Sequence, residues 1–190
     1  MSRAYRIKVR ESMTRDIRAE DCIKTQIEML EVLPPEDMAE LLAKELERRG
    51  FERQEDGTLV RNGDGVCVTV EPCTCEVTVA AETEQRVQLE GTREGYGYDD
   101  IGPSGKTIRE RLVSEVKADL ERRAEQSAAR LQSEATQKLE KKLAELQPEM
   151  TKVVNRVTAE ALKQKAAQMG DVKEVHEDTE AGTLTIKVEV

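Results

Sequence analysis

Between Lys106 and Met169 the chain contains neither a glycine nor an aromatic residue. Alanine and charged residues dominate, and apolar side chains recur at Ile108, Leu112, Val116, Leu120, Ala124, Ala128, Leu131, Ala135, Leu139, Leu143, Leu146, Met150, Val153, Val157 and Ala161. Their mean step is about 3.8 residues, above the 3.5 of a left-handed coiled coil and the 3.6 of a straight helix. The spacing predicts one long helix over 106–168, packed straight or slightly right-handed. At ~1.5 Å per residue, the part before Pro148 alone would span roughly 60 Å. Pro148 removes a backbone donor and disfavours helix at Gln147. Either the helix kinks there or a second helix begins and folds back. No glycine or turn cluster favours the hairpin, so a kinked helix is expected. So long a helix cannot bury its whole stripe against a small body. Association through positions such as Leu112, Leu120, Leu131 and Leu139 follows, either with a partner or as a homo-oligomer.

The rest of the chain predicts that body. In 5–10, YRIKVR, Tyr5, Ile7 and Val9 alternate with Arg6, Lys8 and Arg10, the period of a half-buried strand. Residues 14–30 read as a second strand from the parity of Ile17, Ile23, Ile27 and Met29, although Ile23, Ile27 and Leu30 also fit a helical turn. PPEDMAELLAKELERRG predicts a helix. Pro35 suits the first turn, Glu36 and Asp37 complement the positive dipole end, and Met38, Leu41, Leu42 and Leu46 form the stripe. Gly50 can take the left-handed cap. Short strands follow, punctuated by Asp56-Gly57 and Asn62-Gly63-Asp64-Gly65. They carry Val66, Val68 and Val70, then Val77 and Val79, then Val87 and Leu89, as in an antiparallel meander with one buried face. The class is therefore α+β: a small antiparallel sheet with one short helix, the long kinked helix, and a C-terminal strand (Leu184, Ile186, Val188, Val190) returning to the sheet or pairing with another chain. The boundaries fall at 1–92 for the body, 93–105 for a glycine-rich connector, 106–169 for the helix or coiled coil, and 170–190 for a C-terminal hairpin or strand.

Composition narrows the function. The 190 residues carry a net charge of −9 and only four aromatics, Tyr5, Phe51, Tyr96 and Tyr98. The segment 106–168 is +4 and the remainder −13. The basic residues of that segment interleave with acidic ones, as on a solvated helix face, so no nucleic-acid partner is expected. No apolar run nears the ~18 residues of a bilayer span, and MSRAYRIKVR lacks the apolar core of a signal peptide. A cytoplasmic protein without a membrane partner is expected.

Several motifs invite chemistry. Gly102-Pro103-Ser104-Gly105-Lys106-Thr107 ends like a phosphate-binding loop. The full pattern needs glycine at position 100, where the chain has Asp100, and Asp99 with Asp100 would repel phosphate. Helix initiation after a glycine-rich loop explains the segment, and nucleotide binding through Lys106 and Thr107 is the rival. Cys73-Thr74-Cys75, with Cys22 and Cys67 scattered, lacks the spacing of a zinc site, so reduced thiols and no metal are expected. The single histidine, His176, sits in a polar turn with no nucleophile in its context. Neither catalytic residues nor a cofactor are expected. Tyr96 and Tyr98, in Gly-Tyr-Gly-Tyr, could present a loop to a partner or dock on the body.

Four blocks, MSRAYRIKVRES, TQIEMLEVLPPEDMAELLAKELERRGF, VVNRVTAEALKQKAAQMG and TLTIKVEV, resemble an accessory domain protein of bacterial FtsH–von Willebrand A–MoxR ternary conflict systems. The resemblance covers most of the chain and includes no catalytic signature. It implies a non-enzymatic accessory or adaptor subunit beside an AAA ATPase, with the long helix as partner-binding or oligomerisation arm. The alternative is a self-assembling structural coiled-coil protein without an ATPase partner.

Overall fold

A computed structural model describes residues 3–98, 102–178 and 183–189. In chain order the elements are β1 (Ala4–Gln26), α1 (Pro35–Arg48), β2 (Glu52–Arg53), β3 (Leu59–Gly63), β4 (Val66–Glu71), β5 (Glu76–Tyr98), α2 (Gly105–Met169), β6 (Asp171–Asp178) and β7 (Thr183–Glu189). The class is mixed α+β, as the sequence predicts. Five strands form an antiparallel sheet in the order β1-β5-β4-β3-β2, and β6 pairs with β7 in a sheet of two. The chain divides into two compact units. One comprises Met1–Glu20 with Glu82–Thr136, and the other Asp21–Ala81 with Gln137–Val190.

The second unit holds the larger core. Pro35 opens α1, and Glu36 and Asp37 lie in its first turn. At its end Gly50 adopts φ +83°. The Gly50 amide then donates to the Glu47 carbonyl (3.0 Å) and the Phe51 amide to Leu46 (3.1 Å). This is a Schellman motif, whose apolar clasp is formed by Phe51 and Leu46 within one core cluster. Asp64 and Gly65, both at positive φ, make the two-residue turn between β3 and β4, where Gly63 pairs with Val66. In β4 and β5 the valines at 66, 68, 70, 77 and 79 all face inward and are buried. They meet Leu42 and Leu46 of α1 and Leu146, Val153 and Val157 of α2. Each such side chain contributes about 1.5–3 kcal/mol by leaving water.

The first unit is a two-stranded ribbon covered by helix. Ion pairs Arg6–Glu94, Arg10–Glu90 and Arg18–Glu82 cross from β1 to β5, and the residue numbers of each pair add to 100. One antiparallel register therefore runs the length of the ribbon. Exposed pairs of this kind add little stability, but like charges in a slipped register would oppose it. Odd-numbered residues face α2: Val9 packs with Ile108 and Leu112, and Ile17 and Ala19 with Leu131 and Ala135.

Four differences from the sequence reading have physical causes. The alternating run at 5–10 and residues 14–26 of the expected second strand merge into one strand of 23 residues, while 27–30 lie outside it, and β5 is equally long. Residues 93–98, expected in a connector, belong to β5. Gly91, Gly95 and Gly97 fall on its inward parity, where a Cβ would lie 2.7 Å from Val116, 3.0 Å from Leu112 and 2.6 Å from Tyr5 respectively. They are there to admit neighbouring side chains, not to turn the chain. The helix stripe, expected to outrun a small body, is buried at nearly every position, because strands of this length supply a surface to match. Steps of four residues rotate such a stripe by about 40° each, which suits the strong twist of a two-stranded ribbon. The C-terminal strand does not return to the main sheet. It pairs with the segment that directly follows α2, Val172 opposite Val188 and Val175 opposite Ile186. A short hairpin closes at less entropic cost than a distant pairing. Helix α2 stays helical through Pro148 and does not fold back there.

Candidate functional site

The residues singled out in the sequence part into buried and exposed sets. Leu112, Leu120, Leu131 and Leu139 are all buried within the chain. Their apolar surface is consumed by strands, so this stripe is not open to a second helix in the folded chain. Tyr96 and Tyr98 are 65% and 54% exposed. Both lie on the even parity of β5, the face turned away from α2, and the neighbouring Gly97 sits beneath the Tyr5 ring. Tyrosine in that position offers a rigid apolar face with a hydrogen-bonding tip, the composition of a protein contact surface.

The phosphate-loop look-alike is a helix cap. The Ser104 hydroxyl accepts from the Thr107 amide (3.2 Å) and lies 2.9 Å from the Thr107 hydroxyl. The Ile108 amide donates to the Ser104 carbonyl (3.0 Å). Ser104 thus occupies amide and hydroxyl groups that a phosphate would need. Lys106 stands 4.0 Å from Glu110 on an exposed face. Asp99, Asp100 and Ile101 lie outside the described residues.

Cys73 and Cys75 sit in the tight connection between β4 and β5. Cys75 takes φ +57° and its thiol donates to the Pro72 carbonyl at 3.6 Å. Burial pushes the Cys75 thiol up, with the Cys73 charge adding to the shift. That direction disfavours the thiolate and hence reactivity. His176 lies in β6 opposite Thr185, exposed, rather than in a turn. Among the described residues no three His, Cys, Asp or Glu side chains gather as metal ligands.

Two charged features escaped the sequence. Arg61 of β3 and Glu149 of α2 form a two-pronged pair, both contacts 2.8 Å. The Arg61 guanidinium also stacks 4.3 Å from the Phe51 ring centroid and donates to the Arg49 carbonyl. The hydrogen bond from Arg61 holds the Glu149 carboxyl below the usual carboxylate range, against an upward push from burial. Glu45 of α1 is only 5% exposed, yet its carboxylate meets Arg49 at 2.9 Å, Arg156 at 3.5 Å and Arg48 at 3.6 Å. The signal for Glu45 was its place three residues after Leu42, on the apolar stripe. No local signal links residues 61 and 149. Beside Glu45 a polar cleft of about 360 Å³ opens between α1 and α2, edged by Lys44 and Arg48. A second, apolar cleft of about 350 Å³ is lined by Ile27, Val77, Leu143 and Met150. The charged groups of these arrangements are paired within the chain, and none of the arrangements sets a nucleophile beside a base.

The fold is a mixed α+β one in which a long helix covers a two-stranded ribbon and a five-stranded antiparallel sheet. A family model described as FtsH ternary system domain X5 matches residues 1–190, and the chain belongs to that family. It is therefore a component of the FtsH ternary system, as the four sequence blocks had implied. No curated protein and no solved structure matches the chain. Among the described residues no helix is long and apolar enough to cross a membrane.

Proposed function

We propose that the protein is a non-enzymatic accessory subunit, an adaptor, of a bacterial multicomponent AAA ATPase system. Its long helix, with the ribbon that covers its stripe, serves as the partner-binding arm. Family membership supplies the system. The observation that carries the arm is the outward exposure of Tyr96 and Tyr98 on a ribbon whose other face is filled. Large aromatic anchors supply most of the binding energy in many interfaces.

The test is affinity purification of the tagged full chain from its own host. Deleting the helix is uninformative, because its side chains complete both cores. Surface substitutions are used instead. The expected result is an AAA ATPase held by the wild type and depleted at least tenfold by Tyr96→Ala with Tyr98→Ala, at an unchanged melting temperature. Retention by the double variant would refute the arm. Failure to recover an ATPase with the wild type, even after cross-linking, would refute the adaptor.

A further inference from the structure

Three arginines of the second unit converge on one carboxylate. Glu45 lies on the apolar stripe of α1, where a buried charge needs a partner. Arg49 supplies one, its Nε donating to Glu45 Oε1 at 2.9 Å. Arg48 Nη1 stands 3.6 Å and Arg156 Nε 3.5 Å from the other oxygen, Oε2. Both distances exceed those of a good hydrogen bond. Among the described residues neither side chain has another hydrogen bond or ion pair, so each keeps a fork of N–H donors unspent. One carboxylate cannot neutralise three guanidinium groups.

Arg48 and Arg156 line the polar cleft between α1 and α2, which lies wholly within the second unit. Its lining carries Lys44, Arg48, Arg156 and Lys163 against two acids, Glu45 and Glu160. Lys44 is engaged by Glu40 at 3.7 Å, as Glu45 is by Arg49. Setting both aside still leaves three bases against Glu160. This positive excess stands in a chain whose net charge is −9.

We propose that this cleft binds a phosphate group, free or carried on a small molecule, bridged by Arg48 and Arg156. Both side chains reach the same Glu45 oxygen, so Arg48 Nη1 and Arg156 Nε are no more than about 7 Å apart. One oxyanion spans such a gap with two charge-assisted hydrogen bonds of ~2.8 Å. A phosphate group offers at least three oxygens and up to two charges, where a carboxylate offers two oxygens and one charge. It can therefore meet both planar forks at once, which is the recognition that arginine rather than lysine serves. Glu45, its own charge offset by Arg49, gathers the two guanidinium groups to one place. The cleft, about 360 Å³, has the size of a small-molecule site, with Leu41 and the buried Val157 as its apolar part. None of this rests on the adaptor reading, since the cleft stands with or without an ATPase.

Isothermal titration calorimetry of the full chain tests it, with inorganic phosphate and phenyl phosphate as probes at low ionic strength. One-site binding in the millimolar range or tighter is expected, weakening as salt is raised. Arg48→Gln and Arg156→Gln should each weaken it about tenfold, the loss of one charge-assisted hydrogen bond. Both variants should keep the wild-type circular dichroism, because Arg49 still pairs with Glu45. Arg130 is exposed in the first unit and pairs with Glu134, and Arg130→Gln should leave binding unchanged. Tighter binding of phenyl phosphate assigns the site to phosphate carried on a larger molecule, and tighter binding of inorganic phosphate assigns it to the free ion. No binding of either probe up to about 10 mM overturns the proposal. So does an affinity unchanged in both cleft variants, an equal loss in Arg130→Gln, or tighter binding of acetate than of phosphate. If both cleft variants unfold, amide NMR shifts of the wild type decide. Shifts confined to 41–48 and 156–164 on adding phosphate support the site, and shifts scattered over the chain overturn it.

Discussion

Adding one methyl group at Gly91 tests whether the ribbon glycines exist to admit the helix. A Cβ there would stand 2.7 Å from Val116 Cγ1 and 3.4 Å from Leu120 Cδ2. Carbon pairs prefer ~3.5–4.0 Å, so the first contact is about 1 Å too close. Val116 is fully buried and β-branched on a helix, which leaves it essentially one rotamer and no room to retreat. Overpacking of this kind costs about 1–3 kcal/mol. Alanine otherwise suits a strand interior better than glycine by about 0.5–1 kcal/mol. Gly91→Ala should therefore cost about 0–2.5 kcal/mol net. In a chain of this length each kcal/mol lowers the melting temperature by about 2–4 °C. The sharper test is the cycle with Val116→Ala, which alone should cost about 1–3 kcal/mol. In the Gly91→Ala background that loss should shrink by at least about 1 kcal/mol, because the valine methyl is the obstacle. Thermal melts give the totals, and amide exchange over residues 82–98 localises the effect. A stabilising Gly91→Ala, or equal costs of Val116→Ala in both backgrounds, would show that the close approach is not what these glycines serve.

The other predictions concern charge, the helix interior and the thiols. Breaking the Arg61–Glu149 pair by Arg61→Ala should destabilise by about 2–4 kcal/mol, since it also removes the stacking on Phe51, and a double-mutant cycle with Glu149→Gln should give a coupling of about 1–3 kcal/mol. The Glu149 carboxyl is depressed in the folded state, so its stabilisation is present above the unfolded carboxylate value of about 4.3 and lost as pH falls through the lower folded value. Acid denaturation curves of Glu149→Gln should therefore be shallower than those of the wild type in that window. Pro148 is exposed and the helix continues through it, so Pro148→Ala should raise stability by up to about 3 kcal/mol in chemical denaturation; a loss would mean that the proline shapes a contact. Cys73 is exposed while burial pushes the Cys75 thiol up, so mass spectrometry of iodoacetamide-treated protein at pH 8 should find Cys73 alkylated before Cys75.

What could be read from the sequence was local. Pro35, Glu36 and Gly50 mark the ends of α1, and the valine alternation marks β4, because capping and side-chain parity act within a few residues. The length of β1 and β5 was hidden. Glu11 and Arg15 share the inward parity of β1, as Gln85 and Arg93 do that of β5, and they interrupt the apolar pattern. The glycines at 91, 95 and 97 read as a turn signal, although their common parity with Val87 and Leu89 placed them on the strand's inward face. The exposed tyrosines were visible as a pair, but their outward direction needed the register of β5. The partnership of Arg61 with Glu149 spans 88 residues of sequence and left no periodic trace.

One helix finishes two cores, and this has a consequence for biosynthesis. Strand β1 leaves the ribosome before β5, and its partner Glu94 follows Arg6 by 88 residues. Leu112, and then Val157, come later still. At 5–20 residues per second, the nascent strand waits on the order of ten seconds for its neighbours. During that time the alternating apolar face of the strand lacks both the strand and the helix that cover it in the folded chain.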